Sequence, residues 1–276
     1  MSRERGPSTF GSVGPRSTFG SVTRRTIQES PLDLRTMCGR FAQQRPASEL
    51  AEIFGAEPLA DDPGPRFNVA PTDEALVVVQ REDRRAITAY RWGLIPHWAE
   101  SAKVGSRMFN ARAETLTSSP AFRDAFVRKR CLVPVDGFYE WRREGTVRQP
   151  FLIGRTDGML LTLAGLWAGW RDPATERVVR TFTIVTSRPN DQMADIHNRM
   201  PVVVPEEIWP LWLDPSSEAS ELRALLEPND DVALRIQPVS RLVNDVRNDG
   251  PELIEPLDAE AIERGRAAAV APGFFD

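Results

Sequence analysis

The strongest constraint on this chain is how its apolar residues are interrupted. From residue 131 onward they fall in short runs, at 131–135, 138–142, 150–153, 159–168, 180–186 and 201–204, bounded by Gly, Pro or Asp. Runs of that length suit strands better than helices. Two more, Leu76–Gln80 and Ala86–Trp92, flank the charged stretch Arg81-Glu82-Asp83-Arg84-Arg85 and read as a hairpin. A last strand is expected near 232–237. Helices are fewer. Pro46–Phe54 has Pro in its first turn and Leu50, Ile53 and Phe54 on one face. Others are expected at Ala121–Arg128, 206–213 and 216–226, with Ser216 as candidate cap. Strands and helices do not alternate regularly, so the predicted class is α+β, a single domain of mostly antiparallel short strands with a few interspersed helices.

That domain is expected to run from residue 37 to 257 without an internal linker, followed by a loose, alanine-rich end over 258–276. Residues 1–36 differ in texture. They repeat Ser-Thr-Phe-Gly-Ser-Val at 8–13 and 17–22 among Gly, Pro, Ser and Arg. Such a stretch buries too little apolar surface to offset chain entropy and reads as a disordered tail. It lacks the apolar segment of a secretory signal, and Glu29 and Asp33 count against a transit peptide. The simplest expectation is translation from Met37, with the tail absent from the mature chain.

Charge and cysteine content narrow the function. The chain carries −4 at pH 7, while residues 1–36 hold six Arg against three acids, +3, which leaves −4 − 3 = −7 for the remainder. A nucleic-acid role must therefore come from a local cluster of arginines rather than from overall charge. Two cysteines, Cys38 and Cys131, and two histidines, His97 and His197, are too few for a disulfide scaffold or a Cys/His zinc cluster. A reducing, cytoplasmic setting fits, and no metal or cofactor is expected. No run approaches the roughly 18 apolar residues of a membrane-spanning helix.

Several polar residues sit where packing residues would be expected. Asn110 opens Asn-Ala-Arg-Ala-Glu-Thr; Glu140 lies between Tyr139 and Trp141; His197 lies in Ile-His-Asn-Arg-Met-Pro. Each has an ordinary reading: a turn cap, a solvated strand residue, a hydrogen-bonded packing histidine. Trp98 reads equally as a stacking surface or a core residue, His97 as a loop residue, and Cys131 as a buried strand residue. Cys38 is open in the same way. It is either a small apolar residue at a strand start or, if Met37 is removed, an N-terminal cysteine with thiol and α-amine on one skeleton. The amine has a reference pKa of roughly 7.7–8.0, so part of it is nucleophilic near neutrality. The thiol, near about 8.5, is lowered by cations such as Arg40. Such a 1,2-aminothiol closes a thiazolidine ring on an aldehyde, which no internal cysteine can do.

Six segments together carry a resemblance: Met37–Phe41, Arg66–Thr72, Trp92–Pro96, Asn110–Thr115, Gly137–Trp141 and Ile196–Pro201, continuing through Val239-Ser240 and Val243-Asn244. In this order they resemble the SRAP family, the SOS-response-associated peptidase or abasic-site processing proteins, from Met37 to about Leu257. The resemblance implies barrel-like sheets and covalent capture of abasic sites in single-stranded DNA by a thiazolidine at Cys38. Asn110 would position the amine and sugar. Glu140 would shuttle protons, its pKa raised by the flanking aromatics, and His197 would assist sugar ring opening. The same groups would remove any leader before Cys38 through its thiol. Arg40, Arg112 and Arg199 would clamp phosphates and Trp98 would stack on a base, with Pro71 and Thr186 completing the DNA-contact set. The partner implied is single-stranded DNA bearing abasic sites, met in the cytoplasm or on the nucleoid by a monomer without membrane or cofactor. Two other classes stay open: a general cysteine peptidase using Cys38 and His197, and a non-covalent single-stranded DNA-binding module.

Overall fold

Each apolar run read from the sequence becomes a strand except 201–204, of which only Pro201 is paired in a strand and Val203 makes an isolated bridge; several shorter strands join them. The computed structural model describes residues 39–59, 62–144, 147–228 and 230–270, all within one compact unit spanning Leu34–Asp276. The tail over 1–36 and the candidate nucleophile Cys38 lie outside the described residues. In chain order the elements are β1 (Phe41–Gln43), α1 (Ala47–Phe54), β2 (Ala56–Pro58), β3 (Arg66–Val69), β4 (Glu74–Arg81), β5 (Arg84–Trp92) and β6 (Asn110–Arg112). There follow α2 (Arg123–Arg128), β7 (Arg130–Val135), β8 (Gly137–Glu144), β9 (Val147–Arg155), β10 (Leu161–Arg171), β11 (Val178–Ser187) and β12 (Met200–Pro201). The chain ends with α3 (Trp209–Leu213), α4 (Ala219–Ala224), β13 (Leu234–Pro238) and α5 (Ala259–Val270).

A closed barrel forms the centre. β5, β4, β7, β10 and β11 pair antiparallel in that order, and β11 returns to β5 in parallel through Thr181↔Arg91 and Phe182↔Trp92. β4 shows why the sequence closes in this way. Ala75, Leu76, Val77, Val78 and Val79 are all at most 1% exposed, so the strand is buried on both faces and reads as one apolar run. Its odd-numbered residues fill the barrel with Tyr90, Trp92, Cys131, Val133 and Phe182. Its even-numbered residues pack outward with Leu132 of β7 and Leu166 of β10 and with Phe126, Trp209 and Trp212 of the surrounding helices.

A second sheet, ordered β13-β9-β8-β1-β3, adds Phe41, Val69, Phe138 and Ile153 to the barrel cluster. Its other face carries Ala42, Tyr139 and Leu152, covered by Val239, Val243 and Leu253. One buried side chain ties the two sheets. Gln43 of β1 donates from Nε2 to the carbonyls of Leu76 (3.0 Å) and Pro134 (2.7 Å), and its Oε1 accepts from the Leu76 N–H at 2.8 Å.

Three details differ from the sequence reading. The five-residue charged loop shrinks to the turn Glu82-Asp83, because Arg81 and Arg84 pair across the hairpin and send their side chains to solvent. Ser216 does not cap α4; its N–H and hydroxyl both donate to Asp214, and the Glu221 carboxylate accepts from the Glu218 N–H instead. The segment after Leu257 is helical over Ala259–Val270 rather than irregular.

Candidate active site

The site begins at the C-terminal end of β11, which has a short strand on each edge at Thr186. β6 runs parallel to it, setting Asn110 beside Ile184 and Arg112 beside Thr186. β12 runs antiparallel, setting Pro201 beside Thr186 and Met200 beside Ser187. Two motifs some 85 residues apart in sequence thus meet on one strand. β6 is fixed from inside the barrel: Phe109, just before Asn110, accepts at its carbonyl from the Trp92 indole (2.8 Å) and from the Ile184 N–H (3.0 Å).

Arg199 links these strands. Its Nη1 donates to Glu114 Oε1 at 2.5 Å and its Nη2 to Glu114 Oε2 at 3.0 Å, a forked pair. Nη2 also donates to the Thr186 carbonyl at 2.5 Å. Glu114 lies in the turn directly after β6, and the Arg199 guanidinium holds its carboxyl below the usual range. Two residues before Arg199, the His197 ring is fixed by the same backbone: Nδ1 lies 3.2 Å from the Arg199 N–H nitrogen and 3.3 Å from the Arg199 carbonyl. That nitrogen can accept when bare and donate when protonated.

Glu140 approaches the same nitrogen from the second sheet, with Oε1 3.8 Å from His197 Nδ1 and a side chain only 1% exposed. The flanking aromatics do not supply its surroundings, contrary to the sequence reading. Neighbours in a strand point to opposite faces, so Tyr139 and Trp141 join the cluster on the far side of the sheet. What faces Glu140 across the strands is Phe151, its register partner, and the Arg142 guanidinium lies 4.7 Å above that ring. The pairing Phe41↔Phe138, extended by the Tyr139 N–H to Arg40 carbonyl bond at 2.9 Å, leads the start of β1 toward Glu140.

Arg40 is partly buried and already engaged. Its Nη1 donates to Asn68 Oδ1 and to the Val243 carbonyl, both at 2.8 Å. Burial pulls its pKa below the ordinary arginine value. Asn68, missed by the sequence reading, is fully buried and donates to the carbonyls of Val243, Asp245 and Asn248, fixing the loop after β13 against β3. Of the three expected phosphate clamps, two therefore hold protein groups, because a buried guanidinium needs acceptors. Arg112 is the exposed one, with no side-chain hydrogen bond among the described residues.

The remaining candidates separate by exposure. Trp98 is 53% exposed on the loop after β5, which excludes a core role, and His97 beside it is exposed. Pro71 lies on a loop docked to the end of β5 by the Thr72 N–H to Trp92 carbonyl bond at 2.8 Å. Thr186 is fully buried, its hydroxyl 3.3 Å from Arg199 Nη2. Cys131 is fully buried in β7 with its thiol pKa raised by burial, as an inert packing residue would have. Glu114 was the other residue missed; its motif was legible, but its partner lies 85 residues away.

A closed barrel joined to a second sheet, with buried Glu140 facing the half-buried His197 and an Asn–Arg strand latched to the histidine loop, defines an α+β protein with acid, imidazole and guanidinium groups gathered near the start of β1. The chain belongs to the SOS response associated peptidase (SRAP) family, whose model matches residues 37–246. It is 39% identical over 223 residues to the abasic site processing protein YoqW of Bacillus subtilis, covering 79% of this chain and 99% of that one. Against the abasic site processing protein YedK of Escherichia coli, identity is 33% over 230 residues, covering 80% and 100%. A crystal structure of a protein from Bacteroides thetaiotaomicron superposes with a TM-score of 0.73 at 26% identity, covering 80% of this chain and all of that one.

Proposed function

We propose that this protein processes abasic sites in single-stranded DNA by forming a covalent thiazolidine at Cys38. The observation that carries the reading is the Glu140–His197 pair, 3.8 Å apart between β8 and the loop before β12, on the strand along which the start of β1 is led. The similarity to proteins named for abasic-site processing supplies the substrate class.

The chemistry needs a free α-amine at Cys38. His197 assists opening of the sugar to its aldehyde by relaying a proton at Nδ1. The Cys38 amine adds to the aldehyde carbon, and the resulting carbinolamine loses its hydroxyl as water, with Glu140 delivering the proton. The thiolate then adds to the imine carbon while the nitrogen takes a proton, closing the ring. Asn110, held by the anchored β6, orients the amine and sugar. Arg112 meets a phosphate directly, while Arg40, Arg199 and Thr186 shape the surface on which Pro71 and Trp98 contact the strand. Where a leader precedes Cys38, its thiol attacks the carbonyl of residue 37 to form a thioester while the peptide C–N bond breaks and the Cys38 nitrogen takes a proton; water then hydrolyses the thioester, releasing the leader as a carboxylic acid and the free thiol and amine.

The test uses an oligonucleotide with one abasic site, incubated with protein and run on a denaturing gel. A shifted band that requires the abasic aldehyde and vanishes in Cys38→Ala supports the proposal. A band that persists in Cys38→Ala overturns it. Acetylating the α-amine while sparing the thiol separates capture from peptidase chemistry, since only the former is lost. Binding that denaturant fully dissociates would instead identify a non-covalent DNA-binding module.

A further inference from the structure

The loop between β5 and β6 carries two cations that the capture chemistry leaves unused, Lys103 and Arg107. From Ala102 to Arg112 the chain carries Lys103, Arg107 and Arg112 and no acid, +3 within 11 residues of a chain that totals −4. Lys103 and Arg107 are exposed and have neither a carboxylate nor a side-chain hydrogen-bond partner among the described residues. They border a hollow of about 520 Å³ together with Val104, Ser106 and Met108.

The loop is held rigidly. Gly93 has φ +118°, and a Cβ there would lie 2.4 Å from the Gly105 carbonyl oxygen; one on Gly105 would lie 2.6 Å from the Gly93 oxygen. Two glycines thus let the loop backbone press onto the end of β5. The Leu94 N–H donates to the Met108 carbonyl at 3.0 Å, and Ser101 Oγ accepts from the Lys103 N–H at 3.3 Å. With the backbone fixed and no ion pair to break, an arriving anion has only the two side chains to order. Arg107 lies three residues before Asn110, at most about 10 Å of extended chain.

We propose that Lys103 and Arg107 form a nucleotide subsite, with the hollow seating the sugar of the nucleotide next to the lesion and the two cations holding its phosphates. This rests on the abasic-site reading and extends it by assigning where the undamaged strand leaves the site. The subsite is built for backbone rather than base recognition, because it offers cations and a small apolar floor but no amide side chain for base edges.

The experiment compares the parent with Lys103→Gln/Arg107→Gln and with the charge-keeping pair Lys103→Arg/Arg107→Lys. Substrates carry the abasic site with nucleotides on both sides, on the 5′ side only, or on the 3′ side only. The neutral pair is expected to slow capture about 10-fold at limiting DNA on the two substrates that contain the relevant flank. Its rate at saturating DNA and its thermal midpoint stay at parent values. Because each lost phosphate contact flattens the log–log salt slope by about 0.7 on single strands, the slope should fall by about 1.4. The charge-keeping pair should restore both. Parent-like rates and slope on every substrate overturn the subsite, as does an equal loss on all three. Anisotropy with undamaged single-stranded DNA reads the subsite without the covalent step, so failure of capture and failure of the subsite remain distinguishable.

Discussion

Glu114 matters to the site beyond its half-exposed position. It holds Arg199 by both oxygens, and Arg199 in turn donates from its guanidinium to the Thr186 carbonyl and from its backbone N–H to the His197 ring. Glu114→Gln should therefore slow cross-linking at saturating DNA, where loss of affinity is masked. A forked, charge-assisted pair is worth about 2 kcal/mol when buried, reduced here by solvent to about 1 kcal/mol, or ~5-fold in rate. The carboxyl is held below its ordinary value, so the latch is complete above the unfolded carboxylate pKa and is lost as pH falls through the lower folded value. Parent protein should lose cross-linking rate in that acid window and Glu114→Gln should lack that step; identical acid limbs would sink the idea. At this scale the sequence showed which residues were unusual but not what they touch. Asn110, Glu140 and His197 stood out as polar residues where packing residues would be expected, whereas the pairing of Arg199 with Glu114 and of Arg40 with Asn68 depends on contacts 85 and 28 residues apart.

Among the elements, β1 has only three residues yet joins the sheet that carries Glu140 to the barrel that supports the His197 loop. Gln43 makes that joint, satisfying three backbone groups of β4 and β7 from a side chain 4% exposed. Replacing it with Leu, close in size, would leave those groups buried and unpaired. The expected cost is about 2–4 kcal/mol in chemical denaturation with an unchanged m-value. Cross-linking should also slow, because the Glu140 sheet loses its fixed seat. A variant as stable as the parent would show that the sheets are held by apolar packing alone. Strands of this length explain what the sequence hid. The longer runs β4, β7, β10 and β11 announce themselves by apolar content, while β2, β3 and β6 have three or four residues and too little periodicity to register. Barrel-like sheets were expected from the family resemblance, but the strand pattern alone hid the closure, since it rests on two parallel register pairs between β5 and β11.

For the whole molecule, the net charge of −4 is not the quantity that governs DNA contact. The described cations divide into those spent on protein groups, such as Arg40 and Arg199, and those left to solvent, such as Lys103, Arg107 and Arg112. Affinity should follow the second set, so DNA binding persists in an acidic protein but falls steeply with salt. In the proposed mechanism, reactivity follows a different whole-chain property, the state of the Cys38 nitrogen. An amide nitrogen cannot form the imine on which ring closure depends. A chain initiated at Met37 and trimmed of it, 276 − 37 = 239 residues, should therefore cross-link at once. The 276-residue chain should cross-link only after a lag in which it is cut before Cys38, with intact mass showing the 239-residue product in the adduct. Cross-linked protein that still carries residues 1–37 would mean the amine is not the nucleophile, and the thiol alone would have to account for any stable bond.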